Sequence, residues 1–316
     1  MPADQYAYVL GLHNPEDMAH VPGTRWLIAG GISRPQDSVP GGLYLVDTRA
    51  KSCERVWPGR GEQVRRDSQY RDCDAPVSPA NFMTHGLNLV AGEGGVHKLY
   101  AVNRAERESI EIFEIEEEND TLSFYWTGAI LLPPRDRGNG VQSLPDGGLL
   151  VTMPFYPDEP DLIDKIREGR EVGHVLRWHP KTGWSRWSTI SGSAPNGISL
   201  SQDQTKVYVA YSGNNSFVSQ KLESNEPERI IDLGFCPDNI RIDETGQIWV
   251  GGMESIDNPA PRVCRIDPVT LQPTHFPLPP HTQEFENCSG AIQIADEIWL
   301  GTREGDRLAV LPADNR

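Results

Sequence analysis

The 316-residue chain carries 29 Lys and Arg against 45 Asp and Glu, a formal charge of −16. No basic stretch is present to neutralise phosphates, which argues against nucleic acid as a partner, and the same charge argues against an anionic membrane surface. Apolar residues at 37%, with 30 Gly and 26 Pro spread along the chain, describe a globular protein full of tight turns, neither helical nor disordered.

Read in chain order, Met1-Pro2-Ala3-Asp4-Gln5 has no basic start and no apolar run. No signal peptide is therefore expected, and a cytoplasmic location is the default expectation. An apolar strand at 6–10 has no repeat of its own. Pro15-Glu16-Asp17-Met18 opens a first repeat with strands at 26–29 and 42–46. The stretch 53–82, polar and rich in Arg, Asp and Pro, reads as an insertion loop, in which Cys53 and Cys73 could pair in an oxidising compartment. Thr84-His85-Gly86-Leu87 opens a second repeat and Gly138-Asn139-Gly140-Val141 a third. Within the third, Leu162, Ile163 and Ile166 make one apolar stripe, predicting a helix at about 160–170 that could form a lid over one face. Pro195-Asn196-Gly197-Ile198, Pro237-Asp238-Asn239-Ile240 and Cys288-Ser289-Gly290-Ala291 open the last three repeats.

After most openings comes an apolar strand, a turn and a second apolar strand. Openings at 85, 139, 196, 238 and 289 stand 42 to 57 residues apart, near the roughly 40–50 residues of one four-stranded propeller blade. The expectation is an all-β, six-bladed β-propeller forming one domain over 1–316. The final repeat has room for only three strands, so the strand at 6–10 should complete it and close the ring, removing open sheet edges.

In a propeller the innermost strands line one central channel, so their starts become neighbours. That would gather Glu16, Asn139, Asn196, Asp238 and Asn239, two carboxylates and three amides. Hard oxygen donors in this number suit Ca²⁺ and not Zn²⁺, which prefers nitrogen and sulfur in a tetrahedron. The alternative is that Asn-Gly and Asp-Asn are ordinary turn pairs. Cys236, two residues before Asp238, reads more readily as a core thiol than as a nucleophile. No Gly-X-Ser-X-Gly elbow and no phosphate-cradling glycine loop occurs.

The motifs Pro15-Glu16-Asp17-Met18, Thr84-His85-Gly86-Leu87, Asn103 with Ser109-Ile110-Glu111-Ile112-Phe113, Ala194-Pro195-Asn196-Gly197-Ile198-Ser199, and Asp238-Asn239-Ile240 with Ile248-Trp249-Val250-Gly251 together resemble the paraoxonase branch of the senescence-marker-protein-30/gluconolactonase group of six-bladed propellers. They run from about 15 to 255 in order. The resemblance implies a catalytic calcium on Glu16, Asn139, Asn196, Asp238 and Asn239, with His85 as proton acceptor and Asp238 as the alternative base. It implies a small-molecule substrate and calcium-dependent hydrolysis of lactones or esters. The wider group also includes lyases, isomerases and condensing enzymes, so a metal-assisted lyase or isomerase is the alternative, and a non-catalytic binding scaffold the next.

Two departures from that pattern stand out. The family's second histidine falls on Arg104, which cannot relay a proton and could instead bind an acidic substrate. The family's second, structural calcium would use Asp17 and the backbone carbonyl of Leu87, but its remaining carboxylate falls on Gly140, so the expectation leans to a single ion. The segment 161–170 is strongly charged where paraoxonases are apolar and lipid-facing, so membrane attachment does not follow. Phe155 and Tyr156, just before it, are candidate pocket residues.

Overall fold

The computed structural model describes residues 7–33, 37–59, 63–70, 72–187, 192–224, 226–278 and 285–313. Six antiparallel four-stranded sheets make up the chain. Blade I holds β2 (Pro15–His20), β3 (Trp26–Gly31), β4 (Gly42–Asp47) and β5 (Ser52–Trp57). Blade II holds β6 (Thr84–Val90), β7 (Val96–Asn103), β8 (Ser109–Glu118) and β9 (Thr121–Leu131). Blade III holds β10 (Val141–Ser143), β11 (Leu149–Met153), β12 (His174–His179) and β13 (Gly183–Arg186). Blade IV holds β14 (Pro195–Leu200), β15 (Lys206–Tyr211), β16 (Ser216–Lys221) and β17 (Pro227–Asp232). Blade V holds β18 (Cys236–Ile242), β19 (Ile248–Ser255), β20 (Asn258–Ile266) and β21 (Pro273–Phe276).

Blade VI contains β22 (Gly290–Ile294), β23 (Glu297–Gly301) and β24 (Arg307–Pro312), and its fourth strand is β1 (Ala7–Leu10), paired from Ala7 opposite Val310 to Leu10 opposite Arg307. The ring is therefore closed by the N-terminal strand, as the missing strand of the last repeat predicts. One expectation needs correction. Ser52–Trp57 is a strand, paired with β4 from Asp47 opposite Ser52 to Leu43 opposite Trp57, so the insertion starts after it. Buried Trp57 and the apolar Val56 supply the packing that the polar composition of the stretch conceals. Cys53 consequently sits on this strand while Cys73 lies in the loop, and both thiols are free.

The core is divided, as the architecture demands. Each blade-to-blade seam has its own apolar cluster, for example Ile28, Leu45, Leu99 and Phe113 between blades I and II, or Trp249, Val263, Ala291 and Leu300 between V and VI. Alternate residues of each strand face opposite neighbours, so every blade is glued on both sides and the channel is left for polar side chains. The predicted helix is short, Leu162–Arg167 (α1), with Ile166 buried beneath it.

Candidate metal and catalytic site on the channel axis

Four of the six inner strands open on a β-bulge, where the register slips between Pro15 and Asp17, Thr84 and Leu87, Pro195 and Ile198, and Pro237 and Ile240. The residues spanned by those slips are Glu16, His85, Asn196, Asp238 and Asn239. A bulge leaves a residue out of the ladder and re-aims its side chain, so these side chains can turn toward the axis while the strands continue into the blades. Glycine following the opening residue lets the blades close up: a Cβ on Gly86 would lie 2.5 Å from the Asn139 carbonyl, and one on Gly197 would lie 2.4 Å from that of Asp238.

Contacts run round the ring. Gly86 N donates to Asn139 O at 2.9 Å, and Asn239 N to Ser289 O at 2.8 Å. Ser289 Oγ reaches Glu16 O at 2.6 Å, and Asn239 Nδ2 donates to Glu16 Oε1 at 3.1 Å. Asn196 donates from Nδ2 to Ser212 Oγ at 3.2 Å. After these bonds are made, four buried oxygens of the candidate donors have no partner in the protein: Glu16 Oε2, Asn139 Oδ1, Asn196 Oδ1 and Asp238 Oδ1. Leaving a buried polar atom unpaired costs about 1–3 kcal/mol, more for a charged group. Four at the predicted donor positions are the signature expected of ligands waiting for a cation, so the residues fit a hard divalent ion. Among the described residues no group of three or more His, Cys, Asp or Glu gathers as a metal cluster; this donor set is half amide.

Electrostatics agree with that fit. Burial, then the neighbouring Asp238 and Asp17, push the Glu16 carboxyl well above its ordinary range. Asp238 is raised to about 7, first by burial and then by Asp17, against the opposing pull of Arg303. Such carboxylates are held in an environment that favours protonation until a cation offsets their repulsion.

His85 is half-buried with a partnerless, buried Nδ1, and burial followed by the Arg104 charge lowers its pKa well below 6.5. It is thus a neutral imidazole at physiological pH. Arg104 is held next to it because Asn103 pins the loop, accepting from Met83 N at 3.1 Å and donating to Ala105 O at 2.8 Å and Arg107 O at 2.7 Å. Arg104 Nε has no partner. Phe155 packs with Leu162, Ile166, Val172, Ala194 and Ile256 on the apolar underside of α1. Tyr156 stacks on His174 with ring centroids 5.3 Å apart, and His174 Nε2 is 3.1 Å from Asp136 Oδ1. Phe155 thus packs on α1 and Tyr156 on β12. Ala194 is two residues before Asn196, and Arg167 on α1 pairs with Asp257 at 2.6 Å, so α1 reaches from blade III to blades IV and V.

Asp17 and Leu87 are engaged differently. Both contact the guanidinium of Arg241, a residue that sequence reasoning passed over. The available signal was that Arg241 is the sole Lys or Arg in the six described inner strands. Cys236 is buried and its thiol is pushed up to about 12 by burial and Asp238, in keeping with a core role. A cavity of about 730 Å³ opens at the opposite, strand-exit end of the channel, lined by His20, Asn88, Gln142, Ser199 and Asp243 among others. Among the described residues, none of the partnerless buried side-chain atoms belongs to its lining.

The model of the SMP-30/Gluconolactonase/LRE-like region matches residues 36–283. The chain belongs to this family. It is 25% identical over 260 residues to serum paraoxonase/lactonase 3 of Mus musculus, covering 76% of this chain and 67% of that protein. It is 28% identical over 189 residues to protein strictosidine synthase-like 13 of Arabidopsis thaliana, covering 50% of this chain and 46% of that protein. The match thus spans less than half the length of the plant relative. Among solved structures, the gluconolactonase XC5397 of Xanthomonas campestris superposes with a TM-score of 0.56 at 17% identity, covering 98% of this chain and 90% of that one. The calcium-binding protein regucalcin of Agrobacterium tumefaciens gives 0.52 at 14%, covering 96% and 90%. These superpositions bear on the fold alone.

Proposed function

We propose that the chain is a calcium-dependent hydrolase of lactones or esters, working at the strand-start end of the channel. The observation that carries this reading is the set of four partnerless oxygens on Glu16, Asn139, Asn196 and Asp238, with the neutral imidazole of His85 on the same ring. The family membership and the paraoxonase/lactonase relative point the same way.

Glu16, Asn139, Asn196, Asp238 and Asn239 would hold the ion, with Asn239 also fixing the Glu16 carboxylate through its amide. When bound there, calcium supplies a Lewis acid for the substrate carbonyl, worth several kcal/mol of charge stabilisation. His85 takes the proton of the attacking water on its neutral imidazole ring. Asp238 is the alternative acceptor. Arg104, charged and close to His85, keeps the imidazole neutral and offers its Nε to an oxygen of an acidic substrate.

The test is a panel of lactones and aryl esters assayed with added calcium and after chelation. Turnover that depends on calcium and disappears in Glu16→Gln supports the reading; turnover indifferent to chelator defeats it. The strictosidine synthase-like relative keeps a lyase, isomerase or condensing reaction as the competing reading. Reaction in ¹⁸O-water separates them, because only hydrolysis places solvent oxygen in a new carboxylate.

A further inference from the structure

Three buried carboxylates crowd the axis: Glu16, Asp17 and Asp238, with Asp17 fully buried. Glu16 and Asp238 each keep one buried oxygen without a protein partner. Asp17 does not. Its Oδ1 accepts from Met18 N at 2.8 Å, and its Oδ2 accepts from Leu87 N at 2.7 Å and from Arg241 Nη2. The same Nη2 donates to Leu87 O at 2.9 Å, while Arg241 Nε donates to Met18 O at 2.6 Å and Nη1 to Ile240 O at 2.9 Å. One guanidinium therefore ties together β2, β6 and β18, strands from three blades.

The oxygens it holds are the Asp17 carboxylate and the Leu87 carbonyl, the two that the family resemblance assigns to a second, structural cation. The third carboxylate of such a site is missing, because position 140 is glycine. Nor is there room to restore one: a Cβ there would lie 2.7 Å from the Asn196 carbonyl and 3.1 Å from Ile198 Cγ2. The residues present do not fit a second metal ion. We infer that Arg241 is the built-in replacement for that ion, a covalently attached cation that locks the blades together without calcium. A planar fork suits the task because it can meet a carboxylate and a carbonyl at once, which an ammonium group does less well.

This inference does not need the hydrolytic reading, and the experiment keeps them apart. Equilibrium dialysis with radioactive calcium counts the ions on the full-length wild-type chain, and thermal unfolding in chelator follows Arg241→Met, Asp17→Asn and the double variant. The expected count does not exceed one up to millimolar calcium. In chelator the wild type should unfold cooperatively well above room temperature. Arg241→Met should lower the midpoint by roughly 10 °C, and the double variant should lose less than the two single losses added, because the charges vanish together. Two bound ions per wild-type chain, or single losses that simply add, overturn the inference. A count of zero sinks the proposed function instead, and the mutant cycle then decides the role of Arg241 alone.

Discussion

Two layers of the same channel, formed by adjacent residues, treat buried charge in opposite ways. In the layer of Glu16 and Asp238, four oxygens are left without partners. One residue along, Asp17 has its oxygens filled by Met18 N, Leu87 N and Arg241. Both layers bury carboxylates from the inner strands, so burial alone does not make a reactive site. What separates them is whether the protein supplies its own cation. A satisfied layer stabilises the ring, and an unsatisfied layer stores the desolvation cost that a ligand can release.

That contrast can be broken from either side. The largest effect should come from emptying the reactive layer: Asp238→Ala is expected to cut turnover about 10³-fold or more, the loss of several kcal/mol of Lewis-acid stabilisation. Its unfolding midpoint in chelator should stay at or above that of wild type, since a strained carboxylate has gone. Steady-state kinetics with chelator-controlled calcium, paired with calorimetry of unfolding, read both. His85→Gln should lower turnover by about 10²–10⁴-fold and leave calcium uptake intact; unchanged turnover removes His85 as the proton acceptor.

On the satisfied layer the ranking reverses. Arg241→Met should cost about 3–5 kcal/mol of stability, because Asp17 is left buried and uncompensated, as measured by denaturant unfolding in chelator.

A smaller effect concerns pH. Asp238, raised to about 7 without an ion, favours the folded apo chain below its unfolded pKa near 3.8, and that contribution is lost as pH rises through 7. Chelated protein should therefore be more stable at pH 5.5 than at pH 8, as far as this group is concerned. Calcium affinity should move the other way, weakening as pH falls below 7, with protons released on binding; isothermal titration in buffers of different ionisation heat detects this. The smallest effect should follow Arg167→Ala, which removes an exposed lid pair with Asp257. Surface pairs of that kind contribute little, so no change in midpoint is expected.

The repeat was legible because its period is written in the residues: a small polar opening, an apolar strand and a turn, returning every 42 to 57 residues from position 85 onward. The donor positions were legible for the same reason, since equivalent places in a closed ring must meet. Ser52–Trp57 was hidden because its edge position tolerates Ser, Glu and Arg, and only pairing to β4 identifies it. Phe155 and Tyr156 are candidate pocket residues in sequence, and only the tertiary structure gives their neighbours, α1 for Phe155 and His174 for Tyr156.

By itself, then, the sequence determined the number of blades, the closure of the ring and the oxygen-rich character of its axis, all of which follow from local periodicity. The tertiary structure alone decided which of those oxygens remain unpaired and which are neutralised. Arg241 and Asp17 are 224 positions apart in the chain, and no local pattern links them. Only ring closure brings a cation from blade V against a carboxylate of blade I, and the division of the axis between structure and chemistry rests on that contact.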